Sequence, residues 1–87
     1  MAKRRDRVWY MDEHHQKVPA FVVRAQTTVN GLPAPDSYDA DTVDLSLHGE
    51  AEDESGVIHS MITGGVVGAK LAKTEADQKT PGHWWPR

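Results

Sequence analysis

Pro81-Gly82-His83-Trp84-Trp85-Pro86-Arg87 carries two of the three tryptophans in a chain of 87 residues. Chain ends fray unless something ties them down, and a frayed end here would leave two indoles in water. The stretch therefore reads as a docked closing strand, about His83–Trp85, that completes a core. One indole fills the interior and the other covers its edge. Thr80-Pro81-Gly82 ahead of it is a turn signal.

A closing strand needs a sheet to close. The clearest candidate is Thr42-Val43-Asp44-Leu45-Ser46-Leu47, where Val43, Leu45 and Leu47 alternate with polar residues and so share one buried face. Arg7–Met11 is rich in strand formers, with Trp9 expected in the core, and the polar run Asp12–Lys17 suits a hairpin turn. A second strand is expected over Val18–Thr27, with Pro19 at its start or on an edge. Phe21, Val23 and Ala25 fall on one of its faces and Ala20, Val22 and Arg24 on the other, and both faces read as partly buried. A fourth strand is expected over Val57–Thr63, with Ile58 and Ile62 facing the core and Gly64-Gly65 ending it. Residues 28–41 read as a long loop pinned by Tyr38, and 48–56 as an acidic loop. Residues 66–80 fit either a short helix or an extended loop that packs Val66, Val67 and Leu71 onto a neighbour. Five short strands with long loops make a mostly β chain, a small barrel or sandwich.

Length and composition allow one domain, residues 7–87, behind a flexible basic arm at 1–6. A chain this short has a thin core, and without a disulfide it gains from neighbouring subunits. There is no cysteine, which excludes disulfides, thiolate metal sites and a cysteine nucleophile. No apolar run approaches a membrane span, and no apolar signal region follows the basic start, so an intracellular product is expected. Net charge is −3, unevenly spread. Lys3, Arg4, Arg5 and Arg7 crowd the start, while Asp36 to Glu54 holds eight acidic residues and no Lys or Arg. A basic arm on an acidic body suits docking onto an acidic neighbour surface.

Residue chemistry points to no reaction. His14, His15, His48, His59 and His83 show no ligand spacing, so no metal or cofactor is expected. Glu50, Glu52, Asp53 and Glu54 lack the calcium-loop pattern. Gly64-Gly65-Val66-Val67-Gly68-Ala69-Lys70 lacks phosphate-loop spacing. Ser46, Ser55 and Ser60 lie in no nucleophile elbow. Trp9 and Tyr10 behind the basic arm suggest stacking on bases, but the acidic body disfavours nucleic acid. Trp84, Trp85 and Pro86 could also line a groove for proline-rich peptides.

Val8-Trp9-Tyr10, Pro19-Ala20-Phe21-Val22-Val23, Val43-Asp44-Leu45-Ser46-Leu47 and Pro81-Gly82-His83-Trp84-Trp85-Pro86 together resemble a family of small proteins common in tailed-phage genomes. That family pairs a V-x-Y strand with P-A-x-V-V and V-x-L-x-V strands and ends in P-G-x-W-H-W-P; here the tail reads His-Trp-Trp in place of Trp-His-Trp. The resemblance implies a five-stranded SH3-like barrel and a phage context without an assigned reaction. The expected function is a non-enzymatic structural protein of the virion, a capsid cement or decoration protein made in the host cytoplasm. Its expected partner is the major capsid protein or another virion protein, with a homo-oligomer compatible and no membrane. Lys3, Arg4, Arg5, Arg7, Tyr38, Val66, Val67 and Leu71 are the expected contacts. The alternative is an intracellular SH3-like adaptor binding a host protein or nucleic acid during infection.

Overall fold

The structure, a computed structural model, describes residues 5–25, 38–39 and 41–87. It contains β1 (Arg7–Met11), β2 (Lys17–Arg24), β3 (Val43–Glu52), β4 (Ile58–Leu71), the one-turn helix α1 (Glu75–Gln78) and β5 (His83–Pro86). The strands close into the expected small SH3-like barrel, in chain order, with β5 returning to pair with β1. All neighbours are antiparallel except β4 and β5, which run parallel over two residue pairs.

Alternation decides what fills the barrel. Val8 and Tyr10 from β1, Val18, Ala20 and Val22 from β2, and Val43, Leu45, Leu47 and Ala51 from β3 form one buried cluster with Ala69 and Trp84. Trp84 is the inward indole, 4% exposed, and its N–H donates to the Asp41 carbonyl at 2.9 Å. Ile62, Val66 and Leu71 pack half-buried against the cluster. On β2 the second face is only half-covered: Phe21 is half-buried and Val23 is exposed.

Two hairpin turns share one construction. In the first, the Asp12 carboxylate accepts from the N–H groups of His14 and Gln16, and His15 takes the left-handed backbone conformation. In the second, Asp53 accepts from Ser55 and Val57, and Gly56 takes the left-handed position. The carboxylates satisfy N–H groups that the tight turn leaves without ladder partners.

Several expected boundaries move. Strand β3 does not stop at Leu47: His48 to Glu52 continues it, held in the ladder opposite Thr63 to Ile58 of β4. A Cβ at Gly49 would lie 2.7 Å from the Pro19 Cγ, and the backbone there has φ +151°. Gly49→Ala is therefore expected to cost about 1–3 kcal/mol through overpacking, seen as a lower urea midpoint with an unchanged slope. Likewise Gly64-Gly65 does not end β4, which runs 14 residues to Leu71. Ser46 and Leu47 of β3 hold the two glycines in the ladder, offsetting their entropic cost.

Ile58 is not a core residue; it is 53% exposed. A register shift between Glu50 and Glu52 places it opposite Glu52 and reverses its face relative to Ile62. The 66–80 segment is divided between the end of β4 and α1. Thr74 caps α1, its hydroxyl accepting from the Asp77 N–H while Asp77 accepts from the Lys73 N–H. Of the expected arm, Arg5 and Asp6 are tied to β2 through backbone bonds with Val22; Lys3 and Arg4 lie outside the described residues.

Candidate interaction surface

Pairing geometry assembles a surface that was not foreseen. Trp9 lies directly opposite Pro19 on β2 and Trp85 on β5, and Arg7 lies opposite Phe21. Residues directly opposite in an antiparallel ladder share a face, so Arg7, Trp9, Pro19, Phe21 and Trp85 stand together outside the barrel. Trp9 is thus not a core residue as expected; it is half-buried on this outer face, as are Phe21 and Trp85. Cations partly cover the aromatics. The Lys17 ammonium sits 4.4 Å from the Trp9 ring centre and the Arg87 guanidinium 5.3 Å from it, with Phe21 a further 6.0 Å contact of Arg87. Such stacking holds long flexible cations over apolar rings while leaving their charge presentable. Burial, then the neighbouring Arg7 charge, lowers the Arg87 pKa from its ordinary value. Arg5 and Arg7, both exposed, extend the cationic area towards the N-terminus.

The β3–β4 ribbon has the opposite character. Glu50, Glu52, Asp53 and Glu54 lie at its turn end. Asp53 accepts from His59 at 2.9 Å. That bond, followed by the Val57 N–H, brings the Asp53 carboxyl below its usual range. Lys17 joins the two regions, 3.6 Å from Glu52 while stacked on Trp9. An open cleft of about 620 Å³ lies at that junction, where Lys17 and Lys79 face Glu52, Asp53 and Glu54.

The remaining expected contact residues divide. Tyr38 is half-buried, and its hydroxyl donates to Asp44 at 2.5 Å. The same carboxylate accepts from Arg24 at 2.6 Å and from the Gly68 N–H at 3.0 Å. Burial pushes the Asp44 carboxyl up, but the bonds from Tyr38, Gly68 and Arg24 outweigh it and hold the group below its ordinary value. Tyr38 is thereby tied to β3 with its hydroxyl engaged within the chain; the expected loop at 28–41 lies mostly outside the described residues. Val66 and Leu71 pack half-buried on the core, whereas Val67 is 78% exposed. Among the described residues, no three His, Asp or Glu side chains gather to hold a metal ion, and no helix is long and apolar enough to cross a membrane.

Compared with known proteins, the chain matches no family model, no curated protein and no solved structure.

Proposed function

We propose that this chain is a non-enzymatic structural protein of a tailed-phage virion. Within that class it is a capsid cement or decoration protein that bridges neighbouring subunits, made in the host cytoplasm. The observation that carries the reading is the cation-lined aromatic face of β1, β2 and β5 beside an acidic ribbon. Arg5, Arg7, Lys17 and Arg87 supply the charge for an acidic neighbour, and Trp9, Phe21 and Trp85 supply apolar area. Aromatic and Arg side chains are the usual anchors of protein–protein interfaces. The sequence resemblance to small tailed-phage proteins supplies the context. Lys3 and Arg4 carry further positive charge for the same docking, and the major capsid protein or another virion protein is the partner.

The same aromatics favour one second reading, an adaptor that binds a host protein or nucleic acid during infection, since bases stack on half-exposed rings. Mass spectrometry of purified virions separates the two. Presence of the chain, with capsid binding weakened by Arg5→Glu/Arg7→Glu and by raised salt, supports the first. Absence from virions, with Trp fluorescence quenched by a single-stranded oligonucleotide, supports the second and ends the first.

A further inference from the structure

β4 is paired on one side along nearly its whole length and on the other only at its end. β3 accompanies it from Ile58 to Ala69, while β5 meets it only at Lys70 and Leu71. Among the described residues, no strand occupies the second edge of β4 from Ile58 to Gly68. Edges of this kind are normally blunted by charge, proline or shortness. Here Val57 to Ala69 contains no Asp, Glu, Lys, Arg or Pro. Exposed apolar groups line it instead: Met61 is 60% and Val67 78% exposed.

The order of residues along this edge indicates what fits it. Met61-Ile62-Thr63-Gly64-Gly65-Val66-Val67 has the same hydrophobic pattern read in either direction from Gly64. Met61 to Val66 is also the stretch that follows β3 without a register shift, so its outer edge is a regular template. A two-fold axis through Gly64 would set a second β4 antiparallel to the first. Met61 then meets Val67 of the other copy on the outer face, and Ile62 meets Val66 on the inner face. Thr63 meets Gly65, and Gly64 sits on the axis. A side-chain atom at Gly64 would touch nothing of its own chain within 4 Å, so the face of the strand at the axis leaves room for the side chains of a second copy. Each apolar group thus gains an apolar partner of similar size, and the half-buried Ile62 and Val66 complete their burial. Isologous interfaces require this self-complementarity, and the lack of charge removes repulsion between identical copies.

From this match we infer that the free edge of β4 is a self-association site, occupied by the β4 edge of a second copy in an antiparallel register centred on Gly64. The inference is independent of the virion reading. Two seven-residue edges bury less than the ~1,200 Å² of standard complexes, so the dimer is weak and fills as concentration rises. On an assembly that holds copies close together, the same contact would be strengthened by local concentration.

Sedimentation velocity over a wide concentration range, on the full chain, tests this. The native chain should shift from monomer to dimer. Met61→Lys and Val67→Glu should each weaken dimerisation about tenfold, and both positions are exposed enough to leave the fold intact by Trp fluorescence. Glu50 lies across from Met61 on β3, so a lysine there is accommodated within the chain. The double variant Met61→Lys/Val67→Glu should regain up to about fivefold, because each Lys faces a Glu of the other copy. Within one strand the two positions are ~20 Å apart and cannot pair, so the rescue reports the second copy. A native chain that stays monomeric, single variants that dimerise like the native chain, or a double variant no better than the singles would each overturn the inference.

Discussion

Replacing Trp84 by alanine is expected to remove about 3–5 kcal/mol of stability, the usual cost of deleting a buried large aromatic. The whole domain has about 4–13 kcal/mol to lose, at the usual stability per residue. Three contributions meet at this side chain. The indole is 4% exposed within the buried cluster. Its N–H holds the Asp41 carbonyl. Its backbone stands between β1 and β4, paired with Tyr10 on one side and Leu71 on the other. Trp85→Ala removes a half-buried ring from the outer face and should cost far less. Thermal unfolding of the two variants gives the comparison, and each kcal/mol corresponds to ~4–8 °C in a domain of this size. Equal melting temperatures for both variants and the native chain would show that neither indole contributes to stability as described.

Asp44→Ala is the second large effect, expected at about 2–4 kcal/mol. Asp44 is 7% exposed and its carboxylate serves three donors from three parts of the chain: Arg24 on β2, Tyr38 ahead of β3, and the Gly68 N–H on β4. Removing it strands a part-buried guanidinium and two further donors, and such losses exceed the worth of any one bond. The sign with pH follows from the lowered pKa. A carboxyl lower in the folded state than in the unfolded chain contributes stability that is fully present above its unfolded value, near 4. That contribution is lost as pH falls through the folded value. Urea midpoints measured from neutral to acid pH should therefore show the native chain losing its advantage over Asp44→Asn below about pH 4. A constant gap across that range would contradict the assignment.

Large alternating residues made much of the fold legible. Val43, Leu45 and Leu47 marked the face of β3, and the double tryptophan marked the closing strand. Alternation failed where strand residues were small. Gly49 and the buried Ala51 carry β3 on past Leu47, but neither has enough apolar surface to register as a strand signal. Gly64 and Gly65 misled for a related reason: the tendency of glycine to break a strand is local, whereas the ladder holding them comes from residues nearly twenty positions away. Ile58 was misplaced by a bulge, which no side-chain pattern announces.

The outer face was hidden more deeply. Val8-Trp9-Tyr10-Met11 is apolar on both sides, so periodicity could not say whether Trp9 or Tyr10 faced inward. The cations that cover Trp9 come from Lys17, across a turn, and from Arg87, at the far end of the sequence. Only the pairing of β1 with both β2 and β5 brings them together. Tyr38 donates to Asp44, an acceptor that lay among residues that looked like ordinary outward positions of a strand.

The position of β5 between β1 and β4 also bears on how the chain reaches this state. During synthesis β1 to β4 can form their hairpins as they emerge, each from neighbouring sequence, but β1 has no second partner until residues 83–86 arrive. Before then the sheet is an open ribbon with two raw edges and no Trp84 to fill its interior. Closure depends on an encounter between the first strand and the last, the slowest kind of contact for a folding chain to make. The ring can therefore close only once its final strand has been made.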